Sequence, residues 1–152
     1  TYLGVAEADL DFEMDTAESG MVQRTGPLFS KLNEIMTNHV GLERSGDNLT
    51  AALAMLEALE IDAEKVHLDD NSRLFNTNLV ESLRLKAGIR LAIATVRSAI
   101  SREESRGTHQ RTDFAETNSD MLHHTLIDKD GNLGKLAIRK GSAGSWVLSP
   151  DN

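Results

Sequence analysis

Between Asn76 and Glu104 one helical period carries two apolar stripes, and this restricts the fold more than any other feature of the chain. The segment is about 28 residues long, or about 42 Å as an α-helix. At 100° per residue, Val80, Leu83, Ala87, Leu91, Ala94 and Ser98 fall on one side. Leu85, Ile89, Ile93, Val96 and Ile100 fall on the opposite side, with Glu81 and Arg84 on one flank and Lys86, Arg90 and Arg97 on the other. A surface helix has one apolar face, so a helix with two is predicted to lie centrally between two partners. The stripe of Val80, Leu83, Ala87, Leu91 and Ala94 contains small residues that permit close approach and is expected to face the two preceding helices. The bulkier stripe then needs another cover. Either the chain's own ends supply it, since Leu10, Phe12, Trp146 and Leu148 have no other obvious core, or a second copy does, giving a homodimer.

The two preceding helices are shorter. The first starts near Pro27, whose missing N–H suits a first helical turn, and Leu28, Leu32, Ile35 and Met36 form its apolar face. Gly41 sits where a C-cap belongs, Ser45-Gly46 punctuates the turn, and Asp47 is expected to cap the second helix. Leu49, Ala52, Leu53, Leu56 and Leu59 make that helix's stripe, and Asn76 is the cap expected for the third. After Arg106-Gly107 the helical period stops. Leu126 to Lys140 reads as a hairpin turning at Asp128-Lys129-Asp130-Gly131-Asn132, and Trp146-Val147-Leu148 as a last short strand. The fold expected is all-α, a spectrin-repeat-like bundle of three main helices with a small C-terminal β hairpin. Its parts are an acidic, loosely ordered lead-in over 1–25, the three-helix bundle over 26–106, and an irregular segment with a β-hairpin tail over 107–152.

The net charge of −8 is concentrated at the start, where Glu7, Asp9, Asp11, Glu13, Asp15 and Glu18 precede the first basic residue, Arg24. The remainder is near neutral, which excludes a nucleic-acid binder that needs a basic stripe. No apolar run approaches the roughly 20 residues that cross a bilayer, so no membrane insertion is expected. Without cysteine there are no disulfides, thiolate metal sites or thiol nucleophiles. The opening at Thr1, with neither a basic nor an apolar signal segment, reads as an excised piece or a processed product.

Most chemical constellations fail on spacing. From Asp128 the glycine is fourth rather than sixth and the twelfth residue is Arg139 rather than glutamate, so the loop is a turn and not a calcium site. Adjacent His123 and His124 point to opposite sides of an extended chain, and with His109 they complete no metal set. No nucleophile elbow, P-loop or dinucleotide fingerprint is present. What remains is the run from Arg102 to Arg111, where three arginines, two glutamates and a histidine gather as the long helix ends. Cations there complement the negative end of the helix dipole, and a salt-bridged terminus explains them without further role. The competing reading is a surface that docks on another domain or anchors an anionic group, with Arg102, Glu104, Arg106, His109 and Arg111 as the candidates.

Glu104-Ser105-Arg106-Gly107-x-His109-x-Arg111-x-Asp113, followed about a dozen residues on by His124-Thr125-Leu126, resembles the C-terminal domain of the fumarate reductase and succinate dehydrogenase flavoprotein family. Val40-Gly41-Leu42-x-Arg44 and Phe75-Asn76-Thr77-Asn78-Leu79 also look like this family, and the resemblance runs roughly from Leu28 to Ile127. Two departures stand out: Ala115 follows Phe114 where the family usually has proline, and Ser119-Asp120-Met121-Leu122 replaces an acidic pair and an aromatic. The resemblance implies a parent oxidoreductase that interconverts fumarate and succinate by hydride transfer with FAD. L-aspartate oxidase is the alternative parent, disfavoured by His124-Thr125-Leu126. In such relatives the FAD fold and the substrate-handling histidines and arginines lie upstream, so no catalytic, cofactor-binding or metal residue is expected here. The partners implied are the FAD-binding domain of the same parent chain and an iron–sulfur subunit. The place implied is the cytoplasm, at the inner face of the membrane through partner subunits. From a different class, an independent helical interaction module is the competing function.

Overall fold

A computed structural model describes residues 23–70, 72, 74–140 and 146–150. The acidic lead-in, with Leu10 and Phe12, lies outside the described residues. Three helices form the body: α1 (Thr25–His39), α2 (Gly46–Ala63) and α3 (Thr77–Ser101). Short strands β1 (Glu43–Arg44) and β2 (Gln110–Arg111) pair in parallel. A single 3-10 turn (Ser119–Met121) then leads into β3 (His123–Ile127), β4 (Leu133–Lys140) and β5 (Trp146–Pro150), an antiparallel sheet in that order. The fold is therefore the expected three-helix bundle with a small C-terminal hairpin, extended by a third strand.

Local chemistry sets the helix ends. Asn76 caps α3 by accepting from the Leu79 N–H at 2.8 Å, as its position predicts. The cap of α2 falls two residues earlier than expected. Ser45 accepts from the Asn48 N–H at 3.2 Å, and Asp47 sits inside the first turn, where its charge meets the positive end of the helix. Helix α3 stops at Ser101 rather than near Glu104, because Arg102 turns extended and carries the chain back over the helix end.

The core reverses the expected use of the two stripes. Leu85, Ile89, Ile93 and Val96 are buried and pack with Leu28, Leu32 and Ile35 of α1 and Leu49, Leu56 and Leu59 of α2. Val80, Leu83 and Leu91 are exposed. Each branched side chain gains roughly 1.5–3 kcal/mol on burial, so the bulkier stripe outcompetes one punctuated by alanine and serine for the shared interior. Gly88 lies beside α1, where an added Cβ would stand in ordinary contact, 3.5 Å from Leu32 Cδ2. With α1 and α2 both on that side, the cover that would have called for chain ends or a second copy is already present.

The hairpin begins at His123, three residues before the expected start. The Arg102 guanidinium donates to the Met121 carbonyl at 2.9 Å and to the His123 carbonyl, drawing the start of β3 onto the end of α3. The β3–β4 turn is organised by Asp128, whose carboxylate accepts from the Asp130 N–H, the Asn132 N–H and the Asn132 amide, each at 2.9 Å. Gly131 takes the left-handed conformation there, at φ 83°.

Candidate functional site at the end of the long helix

The five residues singled out at the helix end come together, and with partners that spacing does not reveal. Glu104 has no exposed surface. It accepts from Arg106 Nε and Nη2 at 2.9 Å each, from the Asn118 N–H at 2.9 Å, and from Arg102 Nη1. Arg106, with the backbone of Asn118 and Arg102 around it, holds the Glu104 carboxyl down at about 2 against burial, which pushes the other way. The same pairing raises Arg106. A carboxylate this deep needs charged donors on both oxygens, since burying it unpaired would be prohibitive.

Arg111 and Asp113 join the ends of two helices. Arg111 is 4% exposed and meets Asp113 in a two-point fork, Nε and Nη2 each 2.7 Å from a carboxylate oxygen. Its remaining nitrogen donates to the Ala99 carbonyl at 3.2 Å, in the last turn of α3. Asp113 accepts in turn from the Gly46 N–H at 2.9 Å, at the first turn of α2. A cation thus caps the negative end of α3 and its paired anion caps the positive end of α2, so both dipoles and the salt bridge reinforce one another. Through this bond Asp113 raises the pKa of Arg111, and Arg111 holds Asp113 far below the ordinary carboxylate range. The Arg111 guanidinium also lies over the Phe114 ring, 4.9 Å from its centre.

His109 closes the network on its other side. Arg44 donates to Nδ1 at 2.9 Å, so Nε2 carries the proton and donates to the Arg102 carbonyl at 3.1 Å. Burial chiefly, with Arg44, Arg111 and Arg102 nearby, lowers its pKa and keeps it neutral. Arg44, Ser105, Asp113 and Asn118 are the participants that periodicity and charge alone do not single out. Arg44 arrives through the parallel pairing of β1 with β2, which sets Arg44 opposite Arg111. Ser105 accepts from the Arg111 N–H at 2.8 Å and donates to the Phe114 carbonyl at 2.8 Å. The signal that could have found Ser105, Asp113 and Asn118 is the return segment from Glu104 to Asn118 taken as one hydrogen-bonding inventory rather than as charges.

A cleft of about 420 Å³ opens between the last turns of α3 and β3, lined by Arg44, Arg102, Arg106 and His109 among others. The polar groups of these four are committed to carbonyls, Glu104 and one another. A dinucleotide needs a glycine-rich turn that opens a helix toward its pyrophosphate. Among the described residues Gly46 opens α2 alone, and a Cβ there would meet Asp113 Oδ2 at 3.0 Å. That helix start already holds a carboxylate, so it offers no place for a pyrophosphate.

The family described as fumarate reductase flavoprotein C-term matches residues 29–144. The fumarate reductase flavoprotein subunit of Mycobacterium tuberculosis is 36% identical over 114 residues, covering 73% of this chain and 20% of that protein. The succinate dehydrogenase flavoprotein subunit of Rickettsia felis is 33% identical over 109 residues, covering 71% and 18%. Among solved structures, a variant of E. coli quinol fumarate reductase shares the fold at TM-score 0.72 and 24% identity, covering 98% of this chain and 24% of that chain. The chain spans about a fifth of the length of the curated relatives it matches.

Proposed function

Since the chain belongs to the fumarate reductase and succinate dehydrogenase flavoprotein family, matching its C-terminal part, we propose that it is the non-catalytic helical C-terminal domain of such a subunit. It packs on the FAD-binding domain of the same parent chain, and an iron–sulfur subunit is the further partner. The parent reaction is the interconversion of fumarate and succinate, for which FAD on the other domain supplies hydride-transfer chemistry. The whole protein works in the cytoplasm, at the inner face of the membrane through partner subunits. No described helix is long and apolar enough to cross a membrane itself.

The observation that carries this reading is that the matched span, 29–144, takes in almost all of the three-helix bundle, the whole helix-end network and most of the hairpin. Within it, Arg102, Glu104, Arg106, His109 and Arg111 act by holding the end of α3, the start of α2 and the return segment as one rigid surface for docking. Of the five, Arg106 keeps 39% of its side chain exposed and is best placed to touch another domain. The chain alone should be colourless and silent in viologen-linked fumarate reduction, whereas the full-length flavoprotein should carry FAD and turn over. Flavin bound in equal amount by the chain alone would overturn the reading. Arg106→Ala should destabilise the full-length protein more than the chain alone; equal losses would make the network purely internal.

A further inference from the structure

Phe75 combines two features that nothing among the described residues explains. Its backbone is left-handed, at φ 55°, a conformation that L side chains rarely adopt and aromatics least of all. Its side chain is 99% exposed, with Leu74 beside it 79% exposed. The strain is imposed by a well-made support. Asn76 is buried, and its amide donates to the carbonyls of Asp70 at 2.7 Å and Ser72 at 2.9 Å while its oxygen caps α3. An aromatic ring presented to solvent from a left-handed backbone, beside an Asn76 held this firmly, points to an occupant for the ring.

The helix that starts at this loop continues the apolar surface. Val80, Leu83 and Leu91 are 53%, 45% and 69% exposed, on the side of α3 that faces away from α1 and α2. The small sheet covers only the later turns of that side, where Thr95 and Ser98 share the cleft with Met121, Thr125 and Ile138. The earlier turns are left bare, with Ala87 between the larger side chains.

We propose that Phe75, with the Val80–Leu83–Leu91 stripe, is the anchor by which this domain docks onto the flavin-binding part of its own polypeptide. This rests on the functional reading above and names the contact that it requires. The curated relatives are about four times the length of the chain, so a large body of the same polypeptide stands available to cover the patch. A second copy fits poorly. A two-fold contact through this stripe brings Arg84, on its flank, toward its own mate. An exposed aromatic at the head of an exposed apolar stripe is the composition of an interface hot spot.

The test compares Phe75→Ala, Phe75→Gly and Leu83→Asp in the chain alone and in the full-length flavoprotein. In the chain alone Phe75→Gly should raise the melting temperature and Phe75→Ala should leave it unchanged. In the full-length protein Phe75→Ala and Leu83→Asp should lower it by several degrees and speed limited proteolysis between the two parts at least tenfold. A full-length protein that binds FAD yet is indifferent to both substitutions would overturn the anchor while leaving the family reading intact. A full-length product without a flavin-binding part or bound FAD would overturn the family reading, and the anchor with it. A dimer of the chain alone in sedimentation velocity, abolished by Phe75→Ala, would overturn the assignment by making a second copy the occupant.

Discussion

Replacing Glu104 by glutamine keeps the shape of the buried side chain and removes its charge. Arg102 and Arg106 would then share a neutral carbonyl, and the new amide would face donors such as the Asn118 N–H. The magnitude follows from the carboxyl, which sits at about 2 rather than the ordinary 4.5. At about 1.4 kcal/mol for each tenfold change in proton affinity, that gap corresponds to about 3.5 kcal/mol. Because Arg106 is 39% exposed, water screens part of the interaction and about 2 kcal/mol is the better expectation. The folded pKa is depressed, so this stability is present in full above pH 4.5 and is lost as pH falls toward 2. Urea denaturation of the chain and of Glu104→Gln should therefore differ by about 2–3 kcal/mol at pH 7, with the gap closing between pH 4.5 and 2. A gap below 0.5 kcal/mol at pH 7, or one that does not narrow in acid, would show that the carboxylate is not held by the arginines (roughly the size of a neutral surface change).

Ile93→Glu places a charge in the core against α1 and α2 and should cost about 4 kcal/mol or unfold the chain, read by urea denaturation. Leu91→Lys, two residues away on the bare side, should change the stability of the chain alone by less than about 0.5 kcal/mol in the same assay. Asn76→Ala removes the cap of α3 and two amide donors from the 70–76 loop; it should cost about 1–2 kcal/mol and speed hydrogen exchange at Leu79 and Val80.

An adenylylsulfate reductase from Archaeoglobus fulgidus shares this fold at TM-score 0.64 and 21% identity, covering 90% of this chain and 20% of that one. The family is legible in the side chains at the end of α3. That helix end can be read from the chain because its rules are local. Glu104, Arg106, His109, Arg111 and Asp113 follow one another at two- or three-residue steps in a tight return, where the partners of a buried carboxylate must lie close by.

The sequence by itself determined the three helices, the Asn76 cap, the turn at Asp128–Asn132 and the existence of two apolar stripes on α3, because helical period and capping act over one or two turns. It did not determine which stripe faces inward. Both satisfy the same periodicity, and the choice depends on which side α1 and α2 occupy once volumes are filled. Only the tertiary structure decided that the branched stripe is interior and that Val80, Leu83 and Leu91 are bare. It also decided that Arg44 reaches His109, 65 positions away, and that Asp113 serves as the anion at the start of α2. These pairings join groups that have no period in common, and they arise because buried charges and open helix ends must find partners in whatever chain the packing brings beside them.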